Sequence, residues 1–268
     1  MRKFMLGAIF VLGFFIIFSI YQHKNKKSPF DLDCETLNPE NKNYKNPVVF
    51  ALIDKINDKN NRIYNIYVKQ MPIWLTINNI TFKARGELAH QKDKLFRLHI
   101  NTIITGKEMD LGSNNDIFWF WSKRMEPSYL YYSRHENISK TNLKTPLNPM
   151  WMIESLNFNL IDKGTIQAMI EKNEMYYIYQ NRTSASGEPI ILITILDPKS
   201  ESVIGRLMLN QIKENIVTIT YKNKSMKTIW HNEAISMEWD MSSICYNTEL
   251  PGKLWILPDY KNKFDIGK

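Results

Sequence analysis

The sequence predicts an α+β protein: one long, curved antiparallel sheet with a few helices laid against it. Three observations predict it. From Ile73 onward, apolar residues recur with period two in many short segments, the mark of strands with one buried face. The segments follow one another closely, which favours hairpin connections over helical crossovers. Only a few stretches show helical spacing, and no repeat of 20 to 50 residues suggests a propeller or solenoid.

The elements follow in chain order. Arg2 and Lys3 precede an uncharged run of 18 residues from Phe4 to Tyr21. That length sits at the short end of what spans a bilayer and exceeds most signal-peptide cores. Ile20, Tyr21 and Gln22 offer no small-residue cleavage site, so residues 1–22 read as an uncleaved signal anchor, with a cleaved signal peptide as the alternative. Residues 23–46 are polar with two prolines and read as a tether. The folded domain is then expected over 47–268. Pro47 suits a first helical position, and Val48, Val49, Leu52, Ile53 and Ile56 fall on one helical face.

Strands are expected next. Ile80, Phe82, Ala84 and Leu88 alternate with Thr81, Lys83, Arg85 and Glu87, and Phe96, Leu98 and Ile100 alternate with Arg97, His99 and Asn101. Further strands are expected at 107–111, 117–122, 128–134, 175–181, 189–197, 202–210, 215–222, 227–231 and 235–241. Two helical breaks interrupt them. Asn148-Pro149 opens an apolar stripe through Leu156 with an N-cap and a proline at the first helical position, and Thr165 to Glu171 reads as a second short helix.

Composition narrows the function classes. The chain has 268 residues, 44% hydrophobic and 12% aromatic, which is ample for a sizeable core. Its net charge of +8 is concentrated at the start, where residues 1–30 carry five basic and no acidic side chains. The remaining excess is +3 and evenly spread, so the concentrated basic face of a nucleic-acid binder is missing. The two cysteines are Cys34 and Cys245. Asp31-Leu32-Asp33 before Cys34 is no lipobox. In an oxidising compartment the two could form a disulfide; the other reading is two unrelated thiols.

Catalytic motifs are missing. The chain holds no G-x-S-x-G, S-x-x-K, H-E-x-x-H, C-x-x-C or P-loop. Its histidines, His23, His90, His99, His135 and His231, show no metal-ligand spacing, and His99 reads as a surface residue of its strand. Asp110 and Asp116 flank a turn and read as turn caps together with Asn114 and Asn115 rather than as an acid–base pair. A non-catalytic protein without metal or cofactor is the expectation.

The most distinctive stretch is Gly112-Ser113-Asn114-Asn115-Asp116 running into Ile117-Phe118-Trp119-Phe120-Trp121, a strand with no polar face. Ile117, Trp119 and Trp121 must point to one side, and Phe118 and Phe120 to the other. Together with Gly86-Glu87-Leu88, Phe96-Arg97-Leu98 and Pro146-Leu147-Asn148-Pro149-Met150-Trp151 through Leu156, this stretch resembles the LolA/LolB-like superfamily of periplasmic lipoprotein carriers. The likeness is nearest to uncharacterised LolA-like proteins of planctomycete-type bacteria. It covers residues 80–160 in motif and 175–260 in strand pattern only.

The resemblance implies an unclosed antiparallel β-barrel with helices packed in its concave side and an apolar cavity between them that receives acyl chains. Candidate lining residues are Trp74, Leu88, Leu98, Trp119, Trp121, Trp151 and Ile153. Two departures stand out. The carriers hold their lid with an arginine just before a proline, where this chain reads Gln91-Lys92-Asp93. An uncleaved anchor would also confine the protein to the inner membrane, as a periplasmic domain unable to shuttle. The expected function is a tethered envelope protein that binds a lipid, lipoprotein or acyl chain. The alternative is a protein-interaction or sensor module whose core is filled, with Tyr129, Tyr131 and Tyr132 as a contact surface.

Overall fold

The computed structural model describes residues 46–92, 94–141, 149–184 and 187–268. The apolar run, the tether and Cys34 lie outside them, as does Asn148 before the second helix. Helix α1 (Pro47–Asn61) starts at Asn46, whose side chain accepts hydrogen bonds from the Val48 and Val49 amides. Pro47 at the first helical position has no amide to leave unpaired. Val49, Leu52, Ile53 and Ile56 are buried, whereas Val48 is exposed.

Among the described residues, one sheet of 15 strands carries the rest. The strands are β1 (Asn65–Ile77), β2 (Ile80–Gln91), β3 (Leu95–Thr102), β4 (Gly106–Ser113), β5 (Ile117–Ser122) and β6 (Leu130–Arg134). After helix α2 (Pro149–Ser155) come β7 (Ile166–Lys172), β8 (Met175–Thr183), β9 (Pro189–Asp197), β10 (Ser202–Leu209), β11 (Asn215–Lys222), β12 (Ser225–Trp230), β13 (Ile235–Asp240), β14 (Cys245–Tyr246) and β15 (Lys263–Asp265). Their spatial order is β15-β6-β5-β4-β3-β2-β1-β13-β12-β11-β10-β9-β8-β7, with β14 beside β1. Every pairing is antiparallel except β15 on β6. The sheet is curved and does not close: β15 and β7 are its two ends. This is the unclosed half-barrel with helices on one face that the sequence resemblance implied.

Helices α1 and α2 lie on the same face, here the inner face. Along β9, Ile190 and Leu192 pack in one cluster with Trp151, Met152, Ile153 and Leu156, while Leu196 packs in another with the α1 side chains. These β9 residues share a parity and therefore a face. The outer face of the same strands carries a third apolar cluster of Tyr177, Ile193, Ile195, Leu207 and Leu209.

Two sequence expectations are corrected. Thr165–Glu171 is not a helix: after a single 3₁₀ turn (Lys163–Thr165) it forms edge strand β7. Ile166, Met169 and Ile170 imitate helical spacing because a register shift between Ile166 and Ala168 breaks the alternation, and pairing with β8 decides the outcome. The alternation of β2 also does not mark one buried face throughout. Ile80 and Phe82 are 46% and 41% exposed, whereas Leu88 is fully buried, so only the later half of the strand is covered.

Candidate functional site

The aromatic strand β5 explains itself once its neighbours are placed. Leu88, Leu98, Leu111, Phe120 and Tyr131 stand directly opposite one another across β2 to β6 and form a continuous inner row. Phe120 stacks on Tyr131 at 5.1 Å between centroids, and both pack in the cluster with Trp151. One residue away, Arg97, Gly112, Trp119 and Tyr132 make the matching outer row. Trp119 lies across Gly112, where a Cβ would fall 2.1 Å from the indole. Only glycine leaves room for that ring.

The outer row is sealed by the C-terminal segment, residues 248–262, which runs from β14 across β2–β5 to β15. Arg97 donates to the carbonyls of Leu254 and Ile256, and Asn114 donates to that of Trp255. The ring of Tyr260 packs on Trp121 at 5.0 Å, and its hydroxyl donates to Asp110. A strand apolar on both sides thus has a helix over one side and a strap over the other.

Beneath the strap lies a buried ionic cluster. Asp110 is fully buried and accepts from Arg97 at 2.8 Å and from Lys107 at 2.7 Å, with His99 Nε2 at 3.4 Å. Burial alone would raise its pKa, but the polar contact with His99 and the charge of Arg97 hold it well below the usual carboxylate range. Glu87 accepts from the Tyr67 hydroxyl at 2.5 Å; burial first, then this carboxylate, pushes that phenol up to about 12. Arg97 also lies over the Trp119 ring at 5.0 Å. Asp110 is therefore a structural anchor and not a turn cap. The turn is capped by Asn114, which accepts from the Asp116 and Ile117 amides. His99, with its side chain 22% exposed, is a cluster member rather than a simple surface residue. Among the described residues, no group of His, Cys, Asp and Glu side chains could hold a metal ion.

The seven candidate lining residues divide between the two faces. Leu88, Leu98, Trp151 and Ile153 come together in the inner cluster. Trp119 and Trp121 face outward beneath the strap. Trp74 follows Ile73, which faces the inner cluster, and so points outward, level with Lys83 and Glu238 on the flanking strands. The structure adds Ile66, Ile73, Phe96, Trp230 and Trp239 to the inner group. Trp230 and Trp239 are fully buried, and neither indole N–H has a hydrogen-bond partner among the described residues. Strand alternation in β12 and β13 would have assigned both to the core; their missing partners show only in three dimensions. Cys245 is exposed on β14, and its proposed partner Cys34 lies outside the described residues.

Helix α2 is fixed over the inner cluster from its C-terminal end. Arg206, 2% exposed, donates to the carbonyls of Glu154 and Asn159, and the Tyr221 hydroxyl donates to that of Ser155. A buried cation beside the last carbonyls of a helix offsets their partial negative charge. Beside this loop, a pocket of about 230 Å³ opens between the α1–β1 connection, the start of β1 and the end of β2, lined by Ile63, Tyr64, Ile66, His90, Lys92 and Phe158, among others.

No protein-family model and no curated protein matches the chain. Solved structures do. One is a domain from Vibrio parahaemolyticus named for outer membrane lipoprotein sorting, with a TM-score of 0.54 at 11% identity, covering 81% of this chain and 97% of that domain. Another is a LolA superfamily protein from Nitrosomonas europaea, with a TM-score of 0.51 at 9% identity, covering 78% of this chain and 97% of that one. The likeness is one of fold, and it gives this chain a LolA-like architecture over most of its length.

Proposed function

From this LolA-like fold we propose that the protein is a non-catalytic envelope protein that binds an acyl chain, lipid or lipoprotein between the inner face of its sheet and α2. The observation that carries the reading is the pair of orphaned indoles in that space. A tryptophan N–H can only donate, and leaving it buried without a partner costs about 1–3 kcal/mol. The ester or amide oxygen of an acylated ligand would satisfy such donors, while its chain needs only the apolar surroundings of Leu88, Leu98, Trp151 and Ile153. Each methylene moved from water into that lining contributes about 0.8 kcal/mol, so affinity requires no catalytic group. The apolar run at residues 1–22 would tether the domain to the inner membrane, with residues 23–46 as the spacer and the domain on the periplasmic side.

The test is to purify the full chain from bacterial envelopes and analyse the organic extract by mass spectrometry. A stoichiometric acylated molecule that accompanies the wild type and is lost from a Trp151→Asp variant supports the reading. Its absence from the wild type, with no uptake of added lipid, would sink it. A second reading has its own observation: Phe120, Trp151, Trp230 and Trp239 together fill much of the inner space. A filled core would make the domain a protein-interaction or sensor module, and the wild type would then copurify with a constant protein partner and no lipid.

A further inference from the structure

The pocket beside α1 lies at the edge of the inner cluster. Its floor residue Ile66 belongs to that cluster, and Ile63 and Phe158 pack against it. Its frame is held on two sides. Asn57 of α1 exchanges two hydrogen bonds with the backbone of Ile161, and Arg206 donates to the Asn159 carbonyl. Both fix the loop that supplies Phe158, Asn159 and Leu160. Leu160 remains 47% exposed at this opening, an apolar side chain facing the pocket.

The polar side of the pocket has one sign. Its nine lining residues include a lysine, Lys92, and a buried histidine, His90, and no carboxylate. The Lys92 ammonium has three N–H donors, and one goes to the carbonyl of Asn61 at 3.0 Å. That bond covers the partial negative charge at the C-terminal end of α1, which would otherwise repel an anion. The space, about 230 Å³, falls below the roughly 300 Å³ at which whole-ligand pockets begin, enough for a head group and the first carbons of one chain.

We infer that this pocket seats the anionic head group of a single-chain amphiphile, its tail passing Ile66 and Phe158 into the inner cluster. The inference rests on the acyl-binding reading above and adds the charge of the ligand, the point of entry and Lys92 as the residue that selects it. A carboxylate and a phosphate monoester share the chemistry Lys92 would recognise.

The test uses the full chain kept in solution by an amphipathic polymer. A fluorescent polyene fatty acid and its methyl ester are titrated directly, and hexadecanoate and hexadecyl phosphate are used to displace them. The acid should bind about tenfold tighter than the ester, the contribution expected of one charge-assisted contact. Lys92→Gln should remove that difference by weakening binding of the acid, and far-ultraviolet circular dichroism that matches the wild type shows that the variant is folded. Stronger displacement by the phosphate than by the carboxylate assigns the ligand to phosphorylated lipids; the reverse order assigns it to free acids. Equal affinity of acid and ester overturns the head-group inference and leaves the acyl-chain reading standing. No saturable binding of either probe overturns both.

Discussion

Gly112 and Asp110, two residues apart on β4, carry the outer face. A side chain at 112 would enter the space of the Trp119 indole. Gly112→Ala should therefore cost about 1–3 kcal/mol through overpacking, read as a lower urea midpoint. Asp110→Asn removes the negative partner of Arg97 and Lys107 in a fully buried site, and a loss of about 3–5 kcal/mol is expected. The pH dependence has a definite sign. A carboxyl held below its unfolded value contributes stability that is complete above about pH 4 to 5 and is lost as pH falls through its folded pKa. Wild-type stability should thus show no pH dependence from Asp110 between pH 8 and 5, where its contribution is complete, and acid unfolding should steepen only below that. A midpoint that already falls between pH 7 and 5 in the wild type, and not in Asp110→Asn, would contradict this assignment. Neither role was legible in the sequence. Strand parity assigns Arg97, His99 and Asp110 to a wet face, and only the strap, more than 140 positions away, makes that face dry.

The elements differ in how far local sequence specifies them. Strands β5, β9 and β11 begin and end where apolar patterning places them, because flanking turn residues such as Asn114 and Pro198 punctuate them. Helix α1 is legible from its Asn46–Pro47 start. Edge strand β7 is not, since its bulge hides the alternation. The strap is the element least visible in sequence: residues 248–262 have neither period, and their partners lie in distant strands. Truncation after Asn247 should expose Trp119 and Trp121. The expected outcome is a red-shifted tryptophan emission and increased binding of a hydrophobic dye. Unchanged emission would mean that the strap does not seal the outer row. On the inner face, Trp151→Ala in α2 should cost about 3–5 kcal/mol, as for other buried tryptophans, measured by urea unfolding.

At the scale of the whole molecule, a single open sheet presents two apolar faces with different covers. The outer row is closed by the chain's own C-terminal segment, a fixed seal of hydrogen bonds and an ionic cluster. The inner face is covered by α1 and by α2, a helix of only seven residues whose C-terminal end is held by Arg206 and Tyr221. The proposed ligand would enter on the inner side. Four of the seven residues picked out in the sequence lie there: Leu88, Leu98, Trp151 and Ile153. The outward Trp119 and Trp121 could not be told apart from them, because an aromatic residue under a strap and one under a helix look alike in sequence; Trp74 lies on the outer face level with Lys83 and Glu238. The most direct test is photolabelling of the full chain with a hexadecanoic acid carrying a diazirine in its chain, followed by peptide mapping. Labels on peptides containing Leu88, Leu98 or Trp151, removed by excess unlabelled hexadecanoate, are the predicted result. Labels on Trp119 and Trp121 alone, or labelling that excess ligand does not displace, would contradict the account.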